Sequence, residues 1–366
     1  MTDALFVVRD GGGTAPAELR LARRLVAHGH RVRVAGPPSI APLASGLPFH
    51  PLTELAPAPL CTALLDRREL LAAVDVVVAD CLLYGALLAA TVAGVRSAAL
   101  MPTVYLADRL AGSALAAQPR WATVLAEINA ARRAVRLPAV DSVTDQILAA
   151  DRVLVLTSRA FELPSVHPPA HVEYVGPQLA DATGDAWRAP AGDRPLVLAS
   201  LSTEEQNQLE LLRRLVAVLG RLPVRGLVTV GPAVDPARLN PPDNVIVERY
   251  VPHAAVLDRA ALVITHAGHG TVLAALRAGV PLVCLPMGRD QHDVAARVSY
   301  HGAGIVLPAD AGTAELARAV RRGLAELAYA TAARRLATAI AAEDPDRAVA
   351  AVVAAAAATS RNGADG

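Results

Sequence analysis

The chain contains no lysine, and all 35 of its basic residues are arginines. This absence excludes three chemistries that depend on lysine: a P-loop nucleotide site, a Schiff base and a lysine general base. The chain also has no large net charge, because its 34 acidic residues nearly balance the arginines and leave a net charge of +1. Such a balance provides no bulk attraction for nucleic acid or for an anionic membrane, so we expect neither as a partner.

Cysteine and aromatic residues are scarce. The three cysteines, Cys61, Cys81 and Cys284, lie far apart, each in or beside an apolar run, and the sequence has no CxxC pair. This spacing favours reduced thiols in a core over a zinc site or an iron–sulfur cluster. Aromatic residues make up 3% of the chain, which leaves few rings for stacking on single-stranded nucleic acid.

A secretion signal and a membrane-spanning run are also missing from the sequence. The opening MTDALFVVRDGGG places an acidic residue ahead of an apolar run of only a few residues. The longest apolar stretch, AVAAVVAAAAAT near the C-terminus, is rich in alanine and too short to cross a bilayer. We therefore expect a cytoplasmic protein.

The sequence does contain a repeated alternation of apolar strands and amphipathic helices. In the first half, the runs ALFVV, RVRVAG, VDVVVAD and DRVLVLTS are separated by helix-forming stretches such as AELRLARRLVAHG. After residues 176–195, which are rich in Gly, Pro, Ala and Asp, the alternation restarts with PLVLASLS, RGLVTVG, NVIVERYVP, ALVITHAG and PLVCLPMG. Uninterrupted apolar strands joined by helices indicate parallel sheets that are covered on both faces.

This pattern predicts an α/β protein with two doubly wound domains. At 366 residues, the chain is long enough for each domain to bury its own core. The predicted boundaries are an N-terminal domain at 1–178, a linker at 179–195, a second domain at 196–341, and a C-terminal helix and tail at 342–366 that packs back toward the first domain. One alanine-rich helix is expected at about 314–341. Ligands are expected in a cleft between the domains, at the carboxyl ends of the strands.

The turn in LVITHAGHGTVLAALRAG carries more polar residues than a chain reversal needs. His266 is expected at the end of a strand, Gly268 and Gly270 allow close approach of the backbone, and Thr271 is expected to begin a helix. The N–H groups and the dipole of a helix start attract anions, and the imidazole of His266 can donate to a phosphate oxygen. A tight turn that binds no ligand, with Thr271 as helix cap, is the alternative.

The longer segment THAGHGTVLAALRAGVPLVCLPMGRDQHDVAARVSYHGAG resembles the donor-sugar signature of the UDP-glycosyltransferase superfamily. The resemblance is closest to actinobacterial, antibiotic-type enzymes that glycosylate natural products. It implies the GT-B fold, in which two Rossmann-like doubly wound domains face each other across a cleft. It assigns the donor diphosphate to His266, Gly268, Gly270 and Thr271. It assigns the donor sugar to Asp290 and Gln291.

Two further segments resemble the same superfamily. In ERYVPHAAVL, the resemblance implies that the ring of Tyr250 packs on the nucleobase and that the backbone of Val251 pairs with it. In LVLASLSTEEQ, it places Ser202 and Thr203 near the phosphates. A helix cap is the alternative for this pair, because Ser or Thr followed by Glu is a capping pattern.

The resemblance weakens where the superfamily has its general base. Members usually carry a histidine, or sometimes an aspartate, three residues before a proline in the turn after the first strand; here Gly13 stands three residues before Pro16. The other member of the catalytic pair, an aspartate that ends a later strand, corresponds to Asp80 in VDVVVADCLLYG. We predict Asp80 or Asp10 as the base, because burial raises the pKa of a carboxylate and suits it to this role.

These observations predict an inverting glycosyltransferase that moves a sugar from a UDP- or dTDP-sugar to a small natural-product acceptor. The new bond is to an oxygen or to an aromatic carbon, and an acidic acceptor hydroxyl would need little help from a base. The resemblance implies no metal and no cofactor beyond the nucleotide-sugar, and a homodimer is one option for the oligomeric state. Two alternatives stay open: a catalytically silent GT-B protein that assists a glycosyltransferase, and a nucleotide-sugar epimerase. The silent protein would not need Asp290 and Gln291, and the epimerase would form its product from the donor alone.

Overall fold

The computed structural model describes residues 1–105, 119–180, 187, 192–201 and 207–357. The chain forms two compact units. Unit 1 comprises Met1–Thr157, Val166–Gln178 and Asp344–Gly366. Unit 2 comprises Ser158–Ser165 and Leu179–Glu343. The short segment Ser158–Ser165 therefore belongs with unit 2, although the sequence pattern placed it in the first domain.

The described part of unit 1 contains a seven-stranded parallel sheet with the order β3-β2-β1-β4-β5-β6-β7. Its strands are β1 (Asp3–Val7), β2 (Arg31–Gly36), β3 (Phe49–Pro51), β4 (Val76–Asp80), β5 (Arg96–Met101), β6 (Arg152–Val155) and β7 (Val172–Tyr174). Its helices are α1 (Thr14–Ala27), α2 (Pro57–Leu65), α3 (Arg68–Ala72), α4 (Tyr84–Ala93), α5 (Pro119–Ala134), α6 (Val143–Leu148) and the C-terminal helix (Arg347–Ala357), with a short 3₁₀ helix at Pro38–Ile40.

Two hydrophobic cores cover the two faces of this sheet, because successive side chains of a strand point to opposite faces. Leu5 and Val7 of β1 pack in one core with residues of α2 and α4. Ala4 and Phe6 pack in the other core with residues of α1 and of the C-terminal helix. The sheet is therefore buried on both sides, which explains why its strands are continuously apolar.

The described part of unit 2 contains a six-stranded parallel sheet with the order β10-β9-β8-β11-β12-β13. Its strands are β8 (Leu196–Ser200), β9 (Arg225–Thr229), β10 (Val245–Glu248), β11 (Ala260–Thr265), β12 (Leu282–Cys284) and β13 (Gly304–Val306). Its helices are α7 (Leu209–Gly220), α8 (Ala254–Leu257), α9 (His269–Arg277), α10 (Gln291–Tyr300), α11 (Thr313–Ala325) and α12 (Leu327–Ala341), with 3₁₀ helices at Arg159–Phe161 and Pro236–Arg238.

The single alanine-rich helix expected at about 314–341 is in fact two helices. The chain leaves the helical conformation at Glu326, which has φ −83° and ψ 103°. The break lets the two halves pack on different partners, α11 on α7 and α12 on α9. Among the described residues, no helix has both the length and the apolar character that crossing a bilayer requires.

The segment 158–165 is tied to unit 2 by a buried ion pair. Arg297 on α10 donates through Nε to the carboxylate of Glu162 at 2.6 Å, and the two side chains are only 5% and 0% exposed. The same carboxylate accepts the N–H of Leu163 at 2.9 Å, and Arg297 also donates to the carbonyl of Asp293 at 3.0 Å. Both buried charges are therefore paired and hydrogen-bonded, the condition under which proteins tolerate them.

In each sheet, the strand order reverses beside the first strand. In unit 1, β2 and β3 are added on one side of β1, and β4 and the later strands are added on its other side. In unit 2, β9 and β10 lie on one side of β8, and β11 and the later strands lie on the other. At such a reversal, the connections leave toward opposite faces and open a crevice outside the carboxyl ends of the two strands. The ends of β1 and β4, and those of β8 and β11, are therefore the expected ligand sites.

Candidate functional site

The turn between β11 and α9 lies at the sheet reversal of unit 2 and has a strained backbone. Ala267 is fully buried and has a φ of +64°, a left-handed conformation that costs about 1–2 kcal/mol outside glycine. Gly268 is the N-cap residue of α9 and forms no side-chain cap hydrogen bond. The helix begins at His269, so Thr271 lies within its first turn and is not its first residue. An uncapped helix start beside backbone strain is typical of an anion-binding site.

The ring of His266 packs directly on this turn. A Cβ on Gly268 would lie 2.6 Å from the Nε2 of His266, so only glycine leaves room for the ring. Burial lowers the pKa of His266 to about 4, while the charge of Asp290 and a hydrogen bond to the carbonyl of Ser200 oppose this effect more weakly. The ring is therefore neutral at pH 7. Its Nδ1 is buried and has no hydrogen-bond partner among the described residues, an unsatisfied polar atom of the kind that a ligand can pair with.

The second histidine of the turn has a different environment. His269 lies near Arg297 and Glu162, and burial, reinforced by the charge of Arg297, lowers its pKa to about 4. Its Nε2 is buried without a partner in the part of the chain that the structure describes. His269 is therefore a neutral neighbour of the buried ion pair.

Polar side chains at the ends of adjacent strands surround His266. Thr229, which ends β9, donates from Oγ1 to the Oγ of Ser200 at 2.8 Å, and Ser200 ends β8. The Oγ of Ser200 lies 3.0 Å from Nε2 of His253. Burial lowers the pKa of His253, so its ring and the serine hydroxyl form this hydrogen bond with the imidazole in its neutral form. Ser200 thus holds His253 through its hydroxyl and His266 through its carbonyl.

Asp290 and Gln291, predicted to hold the donor sugar, are placed differently. Asp290 is the half-buried residue before α10, and its charge acts on the ring of His266. Gln291 is 2% exposed, and its Oε1 accepts the N–H groups of Met287 at 2.7 Å and Gly288 at 3.1 Å. The structure therefore brings Asp290 to the His266 turn, whereas the carbonyl oxygen of Gln291 shapes the loop after β12.

The predicted nucleobase contacts lie after β10. The side chain of Tyr250 is 73% exposed, and Val251 is buried. An exposed ring can stack on a base without rearrangement of its surroundings. Ser202 and Thr203, predicted near the phosphates, lie outside the described residues.

The sheet reversal of unit 1 carries an ion pair that the sequence pattern did not predict. Arg9, which follows β1, donates from Nε to Oδ2 of Asp80 at the end of β4, at 2.9 Å. The Oδ1 of Asp80 accepts the N–H of Leu82 at 2.8 Å. The side chain of Asp80 is 1% exposed and that of Arg9 is 30% exposed. Although burial disfavours the charge of Arg9, its interaction with Asp80 raises the pKa of the guanidinium.

Glu18 on α1 is a second carboxyl in this cluster. It is fully buried, and burial together with the charge of Asp80 raises its pKa well above the usual 4.5. No N–H group of the described chain donates to either Glu18 oxygen, which leaves the ionised form of this buried carboxyl without stabilisation from a hydrogen-bond donor. The sequence held a signal for this site, because Glu18 lies on the same helix face as Leu21, Ala22 and Leu25.

Of the remaining residues of the β1–α1 turn, Asp10 and Gly13 are exposed, whereas Gly11 is buried. Asp10, the alternative base, follows Arg9 and is exposed, and Gly13 is the N-cap residue of α1. A Cβ on Gly11 would lie 3.0 Å from the Cζ of Arg9, so the guanidinium rests on the glycine backbone. The base roles of Asp80 and Asp10 stay predictions.

Replacing Glu18 with glutamine is expected to change how stability depends on pH. A carboxyl whose pKa is raised in the folded state contributes fully to stability at pH values below its ordinary pKa of 4.5. This contribution to stability is lost as the pH rises toward the pKa of the folded state. Wild type should therefore lose stability relative to Glu18→Gln as pH increases from 5 to about 9. Urea unfolding of both proteins across this range measures the difference, and a constant difference would show that Glu18 is ionised in the folded protein.

Comparison with known proteins supports a common family. Residues 213–355 match the family described as Erythromycin biosynthesis protein CIII-like, C-terminal domain. The chain is 35% identical over 201 residues to 4'-demethylrebeccamycin synthase of Lentzea aerocolonigenes, covering 53% of this chain and 47% of that protein. It is 35% identical over 191 residues to oleandomycin glycosyltransferase of Streptomyces antibioticus, covering 48% and 44%. The match thus spans somewhat under half the length of these curated relatives.

Solved structures match almost the whole chain. The glycosyltransferase of kitacinnamycin superposes with a TM-score of 0.80 at 28% identity, covering 96% of this chain and 98% of that one. CalG4, the calicheamicin glycosyltransferase, superposes with a TM-score of 0.76 at 24% identity, covering 98% and 99%, and supports the fold alone. Each unit of this chain has the Rossmann-like sheet that these GT-B structures share. The chain therefore has the GT-B fold, and its C-terminal half is similar to antibiotic-type glycosyltransferases.

Proposed function

We propose that the protein transfers a sugar from a UDP- or dTDP-sugar to a small natural-product acceptor, with inversion at the anomeric carbon. The observation that carries this proposal is the uncapped start of α9 beside Nδ1 of His266, which has no partner among the described residues, at the sheet reversal of unit 2. Two curated relatives are named for the antibiotics rebeccamycin and oleandomycin. VinC, a structure with the same fold, was solved in complex with dTDP, which supports a nucleotide of this kind as the donor carrier.

In the proposed complex, the donor diphosphate accepts hydrogen bonds from the first N–H groups of α9 and from His266. The ring of His266 is neutral in the free protein, because burial lowers its pKa to about 4, and its Nδ1 has no partner among the described residues. A ring that carries protons on both nitrogens can hydrogen-bond to the backbone of Ser200 and donate to a phosphate at the same time. The negative charge of the diphosphate favours that state, so nucleotide binding takes up a proton.

In the proposed reaction, an acceptor oxygen or aromatic carbon attacks the anomeric carbon on the face opposite to the diphosphate, and the proton of the attacking group passes to a base or to solvent. The bond between the anomeric carbon and the diphosphate oxygen breaks, and the diphosphate leaves with the electron pair. The N–H groups at the helix start and protonated His266 stabilise the negative charge that develops on the leaving diphosphate. They thereby act as an oxyanion site made of protein groups. The carboxylate of Asp290 accepts a hydrogen bond from a hydroxyl of the sugar, and the ring of Tyr250 stacks on the nucleobase.

A transfer assay distinguishes this function from its alternatives. The purified chain is incubated with UDP- and dTDP-sugars, with and without a panel of natural-product acceptors, and the products are identified by mass spectrometry and NMR. We expect a glycoside whose anomeric configuration is opposite to that of the donor, together with free nucleoside diphosphate. A new nucleotide-sugar formed without acceptor would instead indicate an epimerase, and nucleotide binding without any product would indicate a silent partner protein.

The two glycines of the α9 turn provide a matched test of the diphosphate position. Gly268→Ala should displace the ring of His266, because the new Cβ lies 2.6 Å from Nε2. Gly270→Ala meets no described atom within 4 Å, and removing a glycine from a helix should stabilise the fold by about 0.5–1 kcal/mol. We expect both variants to bind UDP or dTDP more weakly in calorimetry, although only Gly268→Ala lowers the melting temperature. Unchanged affinity in Gly270→Ala would place the diphosphate elsewhere.

A further inference from the structure

Arg9 is the member of the unit 1 cluster that is open to solvent. Its side chain is 30% exposed, whereas Asp80 and Glu18 are fully buried. Among the described hydrogen bonds, the ion pair with Asp80 uses Nε of the guanidinium, and the bare backbone of Gly11 lies against Cζ and one terminal nitrogen. Arg9 follows β1 and contacts the end of β4, so it lies at the sheet reversal where a ligand of this unit is expected. A ligand at this position meets a cation.

The carboxyl groups of the cluster are poorly placed to take a proton from such a ligand. Both oxygens of Asp80 already accept hydrogen bonds, from Arg9 and from the N–H of Leu82, and its side chain is 1% exposed. Glu18 is buried behind this pair and keeps its own proton. Gly13 has no side chain to offer. Of the two carboxylates predicted as the base, Asp10 is the exposed one, and the experiments below test whether it takes the proton.

We propose that the acceptor reacts through an acidic hydroxyl, such as that of a phenol or an enol, which binds to Arg9 as its anion. This proposal rests on the proposed glycosyl transfer and names the class of its acceptor. A guanidinium presents several N–H donors in one plane and pairs strongly with an oxyanion. An aliphatic hydroxyl keeps its proton near neutral pH and gains nothing comparable from a cation.

The reaction balances without a protein base. The acceptor hydroxyl first loses its proton to solvent, and Arg9 stabilises the anion that remains. The oxyanion then attacks the anomeric carbon and forms the new C–O bond, while the diphosphate leaves with the electrons of the bond that breaks. Ionisation of a phenol also activates its ortho carbon, so the same site serves transfer to oxygen, or to carbon when the ring then loses its ortho proton to solvent and becomes aromatic again.

The charges that face Arg9 set the pH range of this site. Asp80 balances the guanidinium, and Glu18 and Cys81 also face Arg9. Burial raises the pKa of the Cys81 thiol, and burial raises that of Glu18, so both are neutral in the folded unit. Among the described residues, Asp80 is therefore the ionised carboxylate that pairs with Arg9, and the acceptor anion meets the exposed part of the guanidinium.

A binding experiment tests the proposal separately from transfer. Nitrophenols absorb at longer wavelength as phenolates, so their ionisation on the protein can be read directly in the presence of UDP or dTDP, at a pH below the pKa of the free phenol. We expect the bound probe to be ionised, and we expect Arg9→Gln to weaken this binding about tenfold to a hundredfold. Arg68→Gln, which removes an exposed arginine of the same unit, is the control and should bind as wild type does. Absence of bound phenolate in wild type would overturn the proposal, whether or not sugar is transferred.

The pH dependence of transfer provides the second arm. Across a series of phenols of different acidity, the acid limb of kcat/KM for the acceptor should follow the pKa of each phenol, and Arg9→Gln should move it toward the value of the free phenol. A matched aliphatic alcohol should react poorly. An acid limb at one pH for every acceptor, lost in Asp10→Asn or Asp80→Asn, would assign a protein base and overturn the proposal. If no donor supports transfer, the proposed function fails while the nitrophenol result still decides the role of Arg9.

Discussion

Replacing Glu162 with alanine is expected to destabilise unit 2 by about 3–5 kcal/mol. The substitution leaves the guanidinium of Arg297, only 5% exposed, in a buried site without its counter-charge. It also removes the acceptor of the Leu163 N–H group. Burying an unpaired charge is among the most costly single changes in a protein, because neither water nor a partner then solvates it. Urea unfolding of the full chain, followed by circular dichroism, measures the loss.

Two controls separate the charge from the shape of this site. Glu162→Met combined with Arg297→Met removes both charges, and we expect it to be more stable than either single variant. Glu210→Ala breaks an exposed pair with Arg213 on α7, and it should change the stability by less than about 1 kcal/mol. A loss of less than 1 kcal/mol in Glu162→Ala would show that Arg297 finds water or another acceptor.

Replacing His266 with alanine is expected to lower turnover by about 10²–10³-fold, the usual effect of losing one donor to a developing oxyanion. Nucleotide affinity should fall as well. In wild type, nucleoside diphosphate binding should take up a proton at neutral pH, because a ring whose pKa is about 4 in the free protein becomes charged beside the diphosphate. Affinity should therefore decrease as pH rises through the pKa of the complex. Calorimetry in buffers of different ionisation enthalpy measures the proton uptake.

A matched histidine variant controls this measurement. His167→Ala removes an exposed histidine from unit 1 and should leave both turnover and proton uptake unchanged. If His266→Ala keeps the proton uptake of wild type, another group titrates and the assignment of His266 is wrong. If it keeps turnover, the diphosphate leaves without help from this ring.

The sequence predicted the parts of the fold that depend on local pattern. Uninterrupted apolar runs correspond to strands buried on both faces, and the turn with His266 follows a strand as expected. The break at Glu326 was not predicted, because alanine-rich periodicity continues across it and packing on two different helices decides it. In the same way, the side-chain bonds of Gln291 to Met287 and Gly288 follow from the loop path and leave no trace in periodicity.

Contacts that depend on strand order could not be predicted from the sequence pattern. Arg9 and Asp80 are 71 residues apart and meet because β1 pairs with β4. Ser200 and Thr229 meet because β8 pairs with β9 in register at these residues. Each of these residues is a polar side chain at the end of an apolar strand, a local signal that marks a candidate but does not say which strands are neighbours.

Thermal unfolding in the presence of UDP, dTDP, GDP and ADP tests the nucleotide-sugar assignment most directly. A ligand at a hundred times its Kd stabilises the folded state by about 2.7 kcal/mol, which is readily measured as a rise in melting temperature. We predict that UDP or dTDP raises the melting temperature of wild type, that the purine nucleotides raise it less, and that His266→Ala loses most of the rise. No shift with any of the four nucleotides, or an equal shift in His266→Ala, would contradict a donor diphosphate at the start of α9.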